Sequence, residues 1–131
     1  MPHLQIEINK ILEDAIKIEI ASRFKNLFSE IMDTGTDHIS TSIREFGTYN
    51  LDIGRVKDHK AGVALVNADI REGRTLEQRR SLALCFMGTL HEVLEIPQEQ
   101  MYVTFTEHKG EDFHLKERYL ASWLEGEDPL T

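Results

Sequence analysis

The 131-residue chain holds one cysteine, one tryptophan and three prolines. The lone Cys85 excludes an intrachain disulfide framework and reads as a small apolar residue inside a helix. Three prolines and eight glycines are too few and too scattered to make a linker, so no boundary divides the chain. Positive charge is also short: 15 Lys and Arg stand against 23 Asp and Glu, a formal net charge of −8. A field of that sign repels nucleic acid and anionic membrane surfaces, and neither is an expected partner. It leaves room for a small anionic substrate only where arginines gather locally. Apolar runs are short and broken by charge, so none can span a bilayer. The first residues lack the basic patch and apolar stretch of a secretory signal. A reducing, cytoplasmic setting is expected.

Several chemistries lack their motifs. The six histidines, His3, His38, His59, His91, His108 and His114, form no His-x-His or His-Glu-x-x-His pattern, so no metal site is expected. Ser22, Ser40, Ser42 and Ser81 stand in no nucleophile-elbow context. The glycines form no phosphate-binding loop, and no cofactor is expected.

What is present is a repeated pattern. Apolar residues make up 40% of the chain and charged residues 29%, the balance of a globular chain with one core, read as a single domain over 1–131. Leu4, Ile6 and Ile8 alternate with polar residues over Pro2 to Asn9, the period of a half-buried strand. Ile16, Ile20, Phe24, Leu27, Phe28 and Ile31 then recur at helical steps, with Gly35 as the terminator. His38 to Phe46 reads as a second strand. The order then returns. Gly62 to Ile70 reads as a strand, and a helix follows from Thr75, where Gln78 completes a capping box. Its stripe is Leu82, Ala83, Phe86, Met87, Leu90 and Leu94, and Pro97 marks its end. Met101 to Thr106 reads as a fourth strand. Two β-α-β units, about 2–47 and 62–108, thus follow one another about 60 residues apart. Each crossover is long enough to make its two strands parallel.

The expected fold is α+β: a four-stranded mixed sheet with two helices on one face. The other face is left uncovered, which favours an oligomer with a contact there. The periodicity does not assign Val63, Leu65, Val103 and Phe105 to a face. Phe113 to Leu124 reads as a short C-terminal helix, and Thr48 to Lys60 as an irregular connection.

Pro2 is the residue that points to chemistry. An initiator methionine is usually removed when proline follows, which would leave a secondary amine at the chain terminus. Burial and nearby cations pull the pKa of such an amine down, and a base near neutral pH can move a proton between carbon and oxygen beside a carbonyl. A proline also suits the first position of a strand, which is the plain structural reading. Arg74 sits at a helix start, where a cation is poorly placed for the helix dipole, which favours another role for it. Arg44 reads as a strand-end ion pair or as an anion holder. Arg71 is a third cation close to Arg74, while Arg79 and Arg80 read as solvated or packing on a neighbour. Phe46, Tyr49 and Tyr102 are candidates to line a pocket for a flat unsaturated acid.

Three stretches resemble one family. Met1-Pro2-His3 opens the chain. Ile43-Arg44 follows the first helix at the family's spacing. His59 to Glu77 ends in Gly73-Arg74-Thr75-Leu76-Glu77, similar to the family's Gly-Arg-Ser-Leu-Glu. Thr106-Glu107-His108 is a weaker echo. Together they resemble the tautomerase superfamily, and within it 5-carboxymethyl-2-hydroxymuconate isomerase, over roughly residues 2 to 115. The resemblance implies a homotrimer of two-repeat subunits with sites near subunit boundaries. It implies Pro2 as the general base, Arg44 and Arg74 as holders of substrate carboxylates, and a place in aromatic-compound catabolism. The chain departs from the isomerase pattern after Arg44. There it reads Glu45-Phe46-Gly47-Thr48-Tyr49, without the family's second arginine and histidine–tryptophan pair. The expected function is therefore a cofactor-independent 1,3-proton shift in a small unsaturated carboxylic acid. The alternatives are another reaction of the superfamily, hydration or dehalogenation by a protonated proline, and a non-catalytic oligomeric interaction protein that keeps the fold.

Overall fold

A computed structural model describes residues 2–116. Six regular elements build it: β1 (His3–Ile8), α1 (Asp14–Met32), β2 (Ser40–Glu45), β3 (Ala64–Arg71), α2 (Leu76–Leu94) and β4 (Met101–His108). The sheet order is β2-β1-β3-β4. β1 pairs in parallel with β2, and β3 with β4. The two units join along an antiparallel β1–β3 seam, with Leu4 opposite Ala68 and Ile6 opposite Val66.

Alternation decides which face is buried. Leu4, Ile6 and Ile8 on β1 and Ala64, Val66, Ala68 and Ile70 on β3 all turn to the helices. They meet Ile20, Phe24, Phe28 and Met32 of α1 and Leu82, Phe86 and Leu90 of α2 in one core. The Phe24 and Phe86 rings stack across the helix pair at 4.1 Å. Val103 and Phe105 pack on this core as well. Leu65, one residue out of phase, lines the uncovered face with Gln5, Glu7, Asn67, Tyr102 and Thr104. That face is therefore mostly polar, and a bare apolar surface is not what would draw a partner to it.

The helix ends differ in detail from the sequence reading. α1 stops at Asp33, which takes the left-handed conformation itself (φ 51°) and donates its N–H to the Ser29 carbonyl. Aspartate tolerates that conformation because its short polar side chain can satisfy the local backbone, so Gly35 is not the terminator. α2 ends likewise on Glu95 (φ 59°), before Pro97. At its start the capping box forms as expected. Gln78 N–H donates to Thr75 Oγ1 at 3.0 Å, and Thr75 N–H donates to Gln78 Oε1 at 2.9 Å. β2 is shorter than His38–Phe46, and β4 runs two residues past Thr106. Cys85 lies within α2 and is partly buried. Most of the helix expected over Phe113 to Leu124 lies outside the described residues, and its first four, 113–116, are not helical.

Between β2 and β3 the chain is irregular apart from one short turn at His59–Ala61. Two buried amides hold it. Asn9 Nδ2 donates to the carbonyls of Thr48 (2.8 Å) and His59 (2.9 Å), and its Oδ1 accepts from Val63 N–H (2.7 Å). Gln100 Nε2 donates to the carbonyls of Asp58 (2.9 Å) and Gly62 (2.8 Å). At the end of β2, Glu45 accepts from Leu12 N–H and from Lys17 Nζ, which fixes the β1–α1 connection.

Asn9→Ala would strand one N–H and two carbonyls against a buried wall. It should cost about 2–3 kcal/mol of unfolding free energy in urea melts. The backbone N–H of Leu12, and then Lys17, hold the Glu45 carboxyl below its ordinary range. Its contribution is then complete above the unfolded value of about 4.3 and is lost as pH falls through the lower folded value. Melts of Glu45→Gln between neutral and acid pH should accordingly show a shallower loss of stability than the parent in that acid window.

Candidate active site

The antiparallel seam decides what surrounds Pro2. His3 opposes Asp69, so the start of β1 lies beside the exit of β3. Pro2 is buried just before β1. Its carbonyl accepts from Ser40 N–H at 3.0 Å and from Ser40 Oγ at 3.1 Å, which anchors it to the start of β2. Next to it His3 Nε2 and Ser42 Oγ are 2.9 Å apart. On the other side β3 ends in Ile70 and Arg71, followed by Glu72, Gly73 and Arg74. Gly73 adopts φ 111°, a conformation that favours glycine and turns the chain towards α2.

Both arginines of this exit lie at the Pro2 end. Arg71 is 5% exposed and pairs in register with His108 of β4. Arg74 is partly buried, and its Nη1 donates to the Met32 carbonyl in the last turn of α1. A cation that opens one helix thus meets the negative end of the neighbouring helix, where the dipole favours it. The expected conflict at the start of α2 is answered by the packing of α1.

Arg44 sits elsewhere. It opposes Glu7, five residues beyond Pro2. At about 3.3 Å per residue, that is roughly 16 Å along the strand. Its Nη2 donates to Gln5 Oε1 at 2.9 Å, and its Nη1 lies 3.9 Å from a Glu7 oxygen. Here it lines a cavity of about 340 Å³ on the uncovered face with Leu65, Asn67, Tyr102 and Thr104. Within one chain, Pro2, Arg71 and Arg74 share an end of the sheet and Arg44 does not. Of the aromatic candidates, Tyr102 lines the Arg44 cavity. Tyr49 is exposed and packs against His59, which is held 2.7 Å from Asp52.

Sequence reasoning gave little weight to Arg71 and passed over Asp69. His108 Nε2 lies 2.9 Å from Asp69 Oδ1, while Gln5 Nε2 donates to Asp69 Oδ2. The signal was present in the alternation of β3. Asn67, Asp69 and Arg71 fall on the face opposite Val66, Ala68 and Ile70. Among the described residues, no group of three or more His, Cys, Asp or Glu side chains is placed to hold a metal ion. No helix of the described residues is long and apolar enough to cross a membrane.

No protein-family model and no curated protein matches the chain by sequence. Solved structures do match it in fold. A member of the cis-3-chloroacrylic acid dehalogenase (cis-CaaD) family superposes with a TM-score of 0.81 at 19% identity, over 92% of this chain and 84% of that one. A fused 4-OT, described as a symmetric trimer, gives 0.78 at 18% identity over 91% and 95%. FG41 malonate semialdehyde decarboxylase, inhibited by 3-bromopropiolate, gives 0.71 at 13% identity over 85% and 86%. The four-stranded mixed sheet with its two helices is the tautomerase β-α-β fold.

The two arginines differ in how they are built in, and their removal should show it. Arg74→Ala loses a bond to a helix-end carbonyl and should lower stability by about 1–2 kcal/mol in urea melts. Arg44→Ala loses half-exposed contacts and should cost less than about 1 kcal/mol.

Proposed function

We propose that the chain is a cofactor-independent isomerase that catalyses a 1,3-proton shift in a small unsaturated carboxylic acid. The substrate class is that of 5-carboxymethyl-2-hydroxymuconate. The observation that carries this reading is the gathering of Pro2, Arg71 and Arg74 at one end of the sheet by the β1–β3 register. It is supported by the resemblance of Met1-Pro2-His3 and of Gly73 to Glu77 to the tautomerase superfamily, and by the shared fold.

With Met1 removed, the Pro2 nitrogen is a secondary amine instead of an amide and can act as a base. Two nearby guanidinium groups disfavour its protonated form and bring it towards neutral pH. The same groups serve the substrate. A guanidinium fork holds a carboxylate bidentately and favours the negative charge that grows on oxygen as carbon gives up its proton. Arg74 is the carboxylate holder in this reading, and Arg71 joins it. Arg44 takes part from a neighbouring subunit of a homotrimer, because its own chain holds it at the far end of β1. The fused 4-OT trimers are consistent with such an assembly. A cytoplasmic setting and a place in the catabolism of aromatic compounds belong to the same proposal.

A second reading keeps the site and changes the proton. If the Pro2 amine stays protonated at neutral pH, it serves as an acid, and hydration or hydrolytic dehalogenation replaces isomerisation. The match to a cis-CaaD-family structure favours this as the runner-up. A non-catalytic interaction protein is the reading left if neither holds.

Intact mass and ketonisation of 2-hydroxymuconate, followed by absorbance, test the proposal on one sample. The expected result is a mass short of one methionine, with kcat/KM falling by about 10²–10⁴-fold in Pro2→Ala. Arg74→Ala should act mainly on KM. Retained Met1 in an inactive parent would make Pro2 structural and bring the interaction-protein reading to the front, and full activity in Pro2→Ala would overturn Pro2 as the base.

A further inference from the structure

The Asp69–His108 pair plays no part in the mechanism above, yet it lies at the same end of the sheet as Pro2. Asp69 stands directly opposite His3, the residue after Pro2, and His108 reaches back across β3 to meet it. The pair is fixed on every side. Asp69 uses one oxygen for Gln5 and the other for His108. The Phe113 ring meets the His108 ring edge-on, at 5.5 Å and 89°. The backbone of His108 is tied as well, its carbonyl accepting from Glu72 N–H at 2.7 Å.

This clamp has a chemical consequence. An ionised carboxylate only accepts, so His108 Nε2 carries the proton of that contact. In the neutral ring, the lone pair then lies on Nδ1. The imidazole is about one-third exposed and the carboxylate one-quarter, so the ring edge is open to a small molecule. A base whose tautomer is set by a carboxylate is a common arrangement for proton transfer.

We propose that His108, oriented by Asp69, is a second acid–base group of the site and exchanges a proton with the enol oxygen while Pro2 serves carbon; this rests on the isomerase reading. In the ketonisation direction, the enol O–H bond breaks and its proton passes to His108 Nδ1. The proton is then relayed through water from His108 to the neutral Pro2 amine. The oxygen electrons close the carbonyl, and the displaced π electrons take that proton from Pro2 at the remote carbon. Both groups end the turnover neutral, as they began it, so the reaction needs no other reagent. Asp69 is a positioning residue in this scheme.

Other charged groups surround the ring. Asp69 and Arg71 stand beside it on β3, while His3 lies one strand further away on β1 and is turned to Ser42. Glu107 and Lys109 flank it in its own segment, with Glu107 paired to Arg79 of α2 at 3.7 Å. Glu111 and Asp112 follow in the turn before Phe113. The test must therefore separate His108 from this background, and His108→Gln does so. Glutamine keeps a donor for Asp69 and lacks the proton-accepting nitrogen.

Two measurements test the proposal together. The first is ketonisation of 2-hydroxymuconate across pH by the parent, Pro2→Ala and His108→Gln. The proposal expects kcat in His108→Gln to drop about 10²-fold, with KM within about threefold and the acid limb of the kcat profile flattened. The second is the ¹⁵N spectrum of histidine-labelled protein, with His108 assigned by its loss in His108→Gln. Nδ1 should resonate as an unprotonated nitrogen and move when cis,cis-muconate is added. Loss of activity in Pro2→Ala with kcat retained in His108→Gln overturns the role of His108 and leaves the isomerase reading standing. An inactive parent whose His108 resonances ignore muconate overturns both.

Discussion

Everything at the candidate site depends on the antiparallel pairing of β1 with β3. Each β-α-β unit on its own makes a parallel pair under one helix, with both strand starts at the same end. Joining the units head to tail reverses the second unit against the first. The start of β1 then meets the exit of β3, so Pro2 comes to the end of the sheet where a strand-to-helix turn carries two arginines. The register is set by burial. Leu4, Ile6 and Ile8 interleave with Ala64, Val66, Ala68 and Ile70, and a slip of one residue would turn all of them to solvent. The apolar seam therefore fixes the position of Pro2 relative to Arg71 and Arg74, although none of these three is part of the apolar stripe.

The two faces of the sheet divide the labour. One is a dry core built around the Phe24–Phe86 stack. The other holds linked polar side chains: Gln5 to Asp69, Asp69 to His108, and Asn67 to Thr104 and Thr106. Neighbouring strands share these bonds, so the uncovered face is stiffened without being made apolar. Polar groups joined in this way hold one another in defined positions, which a chemical site requires. Arg44 ends this network on one side and His108 on the other.

Much of the fold was legible in the chain. The period-two run after Pro2, the helical stripes, the Thr75–Gln78 box and the return of the pattern about 60 residues later led to the correct sheet and helices. The helix ends were less legible. Asp33 takes the left-handed position that Gly35 was expected to supply, and Glu95 takes one ahead of the expected stop at Pro97, because the backbone bond to Ser29 or His91 compensates the strain locally. Faces were only partly legible: Val103 and Phe105 proved to be core and Leu65 did not, which depends on register and not on composition. For the site, Pro2 and Arg74 could be singled out from their neighbours in sequence. The separation of Arg44 from Pro2 could not, because it follows from pairing β2 with β1 in parallel. The Asp69–His108 contact joins residues 39 apart in sequence, and only the β3–β4 pairing brings them together.

The central claim is that a free Pro2 amine lies beside arginines that capture a carboxylate. It is tested most directly by a reagent with both features, an acetylenic 2-oxo acid. Its carboxylate should be drawn to the arginines, and its alkyne can accept the amine by conjugate addition. Peptide mass mapping after treatment should find one adduct per chain, on the Pro2 nitrogen, with labelling slowed in Arg74→Ala. An unmodified Pro2, with the label on Cys85 or on surface lysines at a rate indifferent to Arg74, would contradict the account.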